Sequence, residues 1–134
     1  METVTHNNQL IAIIIPATYS SEKIEFFTPG TFSQQLGFLP HKAGDKIQEH
    51  VHNLCTRQIQ YTQETLIIRK GKVNITFYTD DKKYLTERIL QGGDVILLAS
   101  GGHGFEFLED TEMIEVKQGP YCGDQDKVRF IGEK

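Results

Sequence analysis

The feature that most constrains this chain is a period of two in its apolar residues. Val73, Ile75 and Phe77 alternate with Asn74, Thr76 and Tyr78, and short runs of similar character recur from Leu10 onward between turn residues. A strand turns successive side chains to opposite faces, so such a run buries one face and wets the other. Helical periodicity is nearly absent. The chain is therefore expected to be all-β, with strands over Ile11–Ile15, Lys23–Phe27, Gln34–Phe38, Lys46–His52, Glu64–Lys70, Val73–Thr79, Tyr84–Leu90, Val95–Leu98, Gly104–Leu108 and Met113–Gln118.

Turn chemistry punctuates these runs. Gly71 sits in a tight Arg69–Lys72 hairpin, Thr79–Lys82 is a polar four-residue turn, and Gln91–Asp94 and Ala99–Gly102 are glycine breaks. Nothing resembles an interdomain linker or a repeat. With 134 residues and 38% hydrophobic content, residues 1–134 are read as a single domain, its core barrel spanning about residues 32–118.

Charge and hydropathy narrow the partners. Net charge is −4 with no dense Lys/Arg cluster, which argues against nucleic acid. The longest apolar run, Leu10–Ile15, stops at Pro16, too short for a membrane span. The N-terminus lacks the pattern of a secretory signal, and Cys55 and Cys122 do not make a disulfide framework, so a cytoplasmic location is expected. The run Ile11–Ile15 is a candidate edge strand for homodimer pairing, because an exposed apolar edge is otherwise a liability.

The chemistry-bearing residues are dispersed along the chain. His50 and His52 share one face of the expected strand Lys46–His52 and can grip one ion together. Glu64 shares the face of Leu66 and Ile68, which sets a carboxylate among buried apolar side chains. Without a cation or hydrogen bonds that placement costs several kcal/mol, roughly, so Glu64 needs a partner. His103 follows a glycine turn. A closed barrel would bring these three strands' inward residues to one point.

These residues resemble the first motif of the cupin superfamily: Gly, five residues, His-x-His, a spacer, Glu, six residues, Gly. Here it reads Gly44, His50, His52, Glu64, Gly71. The spacer Asn53–Gln63 has eleven residues where three or four are usual. The second motif aligns on Gly93, Ala99, Gly101, His103 and Phe107, with Ala for Pro, one residue fewer before His, and Phe for Asn. The resemblance covers Gly44 to about Phe107. It implies a double-stranded β-helix, or jelly-roll, barrel in which His50, His52, Glu64 and His103 hold one divalent transition metal. Imidazole and carboxylate donors suit Fe, Mn, Ni, Co, Cu or Zn.

Around that set, Gln48 shares the histidines' face, and Arg57, Gln58, Gln60 and Tyr61 lie in the lengthened segment, where loops over a barrel mouth set ligand choice. Phe105 and Phe107 would face inward with His103 as an apolar wall. Lys117 binds an anionic group if its face looks inward and is surface if it looks outward; Cys55 is a redox-sensitive thiol, an extra ligand or an ordinary thiol. Metal cupins include isomerases of sugars, dioxygenases and plain binding modules, so the resemblance implies a small polar ligand, with carbohydrate derivatives favoured, and leaves the reaction open.

Overall fold

The computed structural model describes residues 1–134 and contains ten strands and one short 3-10 turn. The strands are β1 (Glu2–His6), β2 (Gln9–Ile15), β3 (Glu25–Phe26), β4 (Gly37–Phe38), β5 (Glu64–Lys70), β6 (Lys72–Tyr78), β7 (Tyr84–Gln91), β8 (Val95–Leu98), β9 (Gly102–Phe107) and β10 (Glu112–Lys117). All pairings are antiparallel. One sheet has the order β1-β2-β8-β5-β10, a second β7-β6-β9, and β3 pairs with β4 alone. No helix is long and apolar enough to cross a membrane.

Alternation explains how the two larger sheets share a core. Ala12, Ile14, Leu66, Ile68, Ile96 and Leu98 from the five-stranded sheet pack with Val73, Ile75, Phe77 and Leu90 from the three-stranded one. Phe77 and Ile75 are fully buried, and each such side chain contributes roughly 1.5–3 kcal/mol through the area removed from water. The opposite face of the larger sheet is covered too: Ile13, Leu97 and Ala99 lie under Leu10, Phe27, Phe32 and Leu36. The layer around β3 and β4 thus shields the sheet's outer side.

Turn residues set the register. Gly71 takes φ +92° between β5 and β6, and Asn7 and Asn8 take φ 48° and 62° in the two-residue turn between β1 and β2. Positive φ at both central positions matches the twist of a tight hairpin. Asp94 is buried and accepts the backbone N–H groups of Ala17 and Gln91, each at 2.8 Å, tying the β7–β8 turn to the chain leaving β2.

Three expectations are corrected. The sheets do not close into a barrel, because β9 and β10 are hydrogen-bonded to a strand on one side only. Lys46–His52 is not a strand: residues 46–60 have no regular structure, and every residue from His41 to Thr62 is exposed. An extended segment becomes a strand only when a neighbour satisfies its backbone groups, and this one has no neighbour. Ile11–Ile15 is not an exposed edge; β2 lies between β1 and β8 with Ile11, Ala12 and Ile13 buried. The strand that protects it, β1, has Val4 as its one buried residue.

Candidate functional site

Register across the larger sheet places Ala12, Leu98, Glu64 and Lys117 in one row facing the interior. In the smaller sheet, His103 is opposite Phe77, Phe105 opposite Ile75 and Phe107 opposite Val73. Since those three β6 residues are fully buried, the β9 side chains point the same way, into the gap between the sheets. Two inward faces therefore bring Glu64 and His103 together.

Their contact is direct. His103 Nε2 lies 3.3 Å from Glu64 Oε2, with the two side chains 28% and 16% exposed respectively. The hydrogen bond from His103 holds the Glu64 carboxyl below the ordinary carboxylate range, against the opposing effect of burial. The charges of His103, Lys117 and Lys127 act in the same direction. The partner that Glu64 needs on an apolar face is thus supplied by this chain.

Phe105 lies edge-on against the His103 ring at 5.5 Å. Phe105 is 36% and Phe107 55% exposed, although both face inward. Lys117 lies on the inward row, but its ammonium is 3.7 Å from Asp126 and 5.6 Å from the Tyr121 ring centroid. An anion reaching Lys117 would compete with Asp126, a partner that spacing did not signal.

The histidine pair stands elsewhere. His50 and His52 lie in the exposed segment with ring centroids 5.2 Å apart, and His50 Nδ1 is 2.9 Å from the Gln48 carbonyl. Gln48 itself bonds to Glu49. No three His, Cys, Asp or Glu side chains converge anywhere in the chain, so the four expected ligands do not fit one metal ion within a single copy. Cys55 and Cys122 are exposed free thiols.

Arg57, Gln58, Gln60 and Tyr61 line a cleft of about 830 Å³ with Leu10 and Phe32. Phe32 and Leu10 belong to the outer layer, so this cleft is on the outer side of the larger sheet and not between the sheets. Its floor includes Gln63, which is buried. The Gln63 Oε1 accepts from Ser33 Oγ and the Gln34 N–H, both at 3.2 Å, and Gln34 also reaches Thr65 and the Val116 carbonyl. This glutamine cluster escaped sequence reasoning; its one signal was that Gln63 must face away from Glu64.

No family model, curated protein or solved structure matches the chain.

Proposed function

We propose that this protein is a metal-binding cupin, its sandwich a jelly roll completed around a divalent transition metal, and that it binds or acts on a small polar molecule such as a carbohydrate derivative. The observation that carries the reading is the Glu64–His103 pair, a carboxylate and an imidazole 3.3 Å apart on inward faces of opposing sheets. Mixed oxygen and nitrogen donors of this kind suit the later first-row divalent metals. The cupin-like spacing of Gly44, His50, His52, Glu64 and Gly71 supplies two further imidazoles in the sequence, carried on the exposed segment and apart from this pair. Metal analysis of purified protein beside a His50→Ala/His52→Ala variant tests it. Stoichiometric metal in the wild type and loss in the variant is the expected result; equal metal in both overturns it.

A second reading, a binding or sensing module without turnover, is favoured by the cleft beside Arg57, Gln60 and Tyr61, which offers hydrogen-bonding groups but no reactive cluster. Screening keto-acids, thiols and sugar nucleotides separates the readings. Metal-dependent turnover identifies an isomerase or dioxygenase, whereas binding without turnover identifies the module.

A further inference from the structure

The cleft on the outer side of the larger sheet has at its floor a donor that the protein leaves unused. Gln63 is 5% exposed, and its Oε1 accepts from Ser33 Oγ and the Gln34 N–H, both at 3.2 Å. A backbone N–H can only donate, so that contact fixes the oxygen and sends the amide NH2 the other way. Gln63 Nε2 donates to no protein group, yet it is not sealed from solvent. A buried side chain that forgoes a donor bond is an exception in folded proteins, and the opening that Gln63 lines is the cleft.

Charge on the walls has one sign. Of the 16 lining residues Arg57 alone is charged, and it makes no ion pair within the chain. Asp80 meets the lining through Gln9, whose Nε2 donates to it at 3.1 Å, and its other oxygen accepts the Gly101 N–H. A guanidinium and a free amide NH2 present donors only. What they await is therefore rich in acceptors.

These groups also set the charge and size of the occupant. One fixed cation matches a monoanion, whereas a phosphate monoester would bring a second charge into a partly desolvated site without a partner. The guanidinium fork matches the two oxygens of a carboxylate. Leu10 and Phe32 offer apolar contact to a carbon skeleton, and about 830 Å³ lies in the ordinary range of small-molecule sites.

We propose that this cleft binds a small organic carboxylate whose skeleton carries further oxygen acceptors, with the carboxylate on Arg57 and an acceptor oxygen on the Gln63 amide. Sugar acids and N-acylated amino acids share that chemistry. The site is built on the opposite face of the larger sheet from Glu64, so it needs neither that carboxylate nor His103. The inference deepens the binding-module reading and rests on it for the absence of turnover, but not for the ligand.

Amide-resolved titration of 15N-labelled protein tests it. Sodium D-glucuronate and N-acetylglycinate are the probes; glucose lacks the charge and acetate the further acceptors. At least one of the two acids should shift the Gln63 side-chain NH2 and the backbone amides of Ser33 and Ser100, with a Kd on the order of 1 mM for ligands of this size. The acid that binds names the source. Arg57→Gln should weaken binding about tenfold, and because Arg57 is exposed this variant keeps the fold. Gln63→Glu preserves the acceptor for Ser33 and Gln34 but puts a negative oxygen where the free donor was, and should abolish binding. Glu64→Gln/His103→Ala should bind as wild type does.

The proposal is overturned by no shift at these groups with either acid, by equal binding of glucose or acetate, by indifference to Arg57→Gln, or by loss of binding in the Glu64→Gln/His103→Ala protein. A sugar nucleotide or thiol that shifts the same groups where neither acid does overturns the ligand class and leaves the binding module standing. Metal-dependent turnover with the acid still bound in the cleft overturns the module and leaves this site standing.

Discussion

Glu64 on β5 and His103 on β9 meet across the space between two sheets that share no hydrogen-bonded strand. Their contact fastens the sheets at the end where the apolar core gives out. Truncating both residues singly and together should give a coupling of about 1 kcal/mol in a urea double-mutant cycle at neutral pH, as for a half-buried carboxylate–imidazole pair. A coupling near zero would show that the sheets are held by the core alone.

Asp94 gathers two backbone N–H groups in a buried turn. Asp94→Ala leaves both donors without an acceptor, which should cost about 2–4 kcal/mol. The expected signature is a lower urea midpoint with an unchanged slope, because the exposed area on unfolding stays the same.

Gly44 and Gly71 share φ +92°, yet their surroundings differ. A Cβ at Gly44 meets nothing within 4 Å, whereas at Gly71 it would collide with the Asp110 carbonyl oxygen and the Thr111 backbone. Gly44→Ala should therefore cost only the left-handed backbone penalty, about 1–2 kcal/mol, or nothing if the turn relaxes. Gly71→Ala should cost clearly more, read as a larger drop in melting temperature.

The C-terminal residues are pinned by a pH-sensitive contact. Lys134 Nζ lies 2.7 Å from Glu87 Oε2, and the same oxygen accepts from Asn74 at 3.2 Å. The Lys134 hydrogen bond first, and that of Asn74 second, hold the Glu87 carboxyl below its ordinary value. A depressed carboxylate stabilises the folded arrangement above its unfolded pKa, and that contribution disappears as pH falls through the lower folded value. Backbone mobility of residues 128–134, read by 15N relaxation, should rise in that acid window, and Glu87→Gln should give the mobile tail already at pH 7.

Alternation made much of this fold legible. Glu64–Lys70 and Val95–Leu98 coincide with β5 and β8 because their apolar runs are bounded, the first by Gly71 at its end and the second by glycine turns on both sides. β1 was not legible, since Thr3 and Thr5 face outward and Val4 alone is buried, leaving no run to read. Lys46–His52 has a strand's pattern without a strand's neighbour; pattern records which face would be buried, but pairing depends on what lies alongside. Likewise Ile11–Ile15 is hydrophobic on both faces because both are covered, so the run signalled a central strand and not an edge.

At the candidate site, a carboxylate on an apolar face correctly announced that Glu64 has a partner, and His103 is that partner. The histidine pair was placed by spacing, which fixes distance along the chain and not through space. Lys117 was readable as inward or outward, and its ion pair with Asp126 arises from a turn whose packing no periodicity encodes.

One peptide bond separates Gln63, clamped by Ser33 and Gln34 on the outer layer, from Glu64 in the space between the sheets. The strand's two faces thus act as an interlock: a single-residue insertion between Glu64 and Leu66 would turn the glutamine inward and the carboxylate outward, exchanging the parts. Residues added to the exposed segment ahead of Thr62 leave that register untouched, whereas Gln63 and Glu64 keep their opposite faces only as a unit.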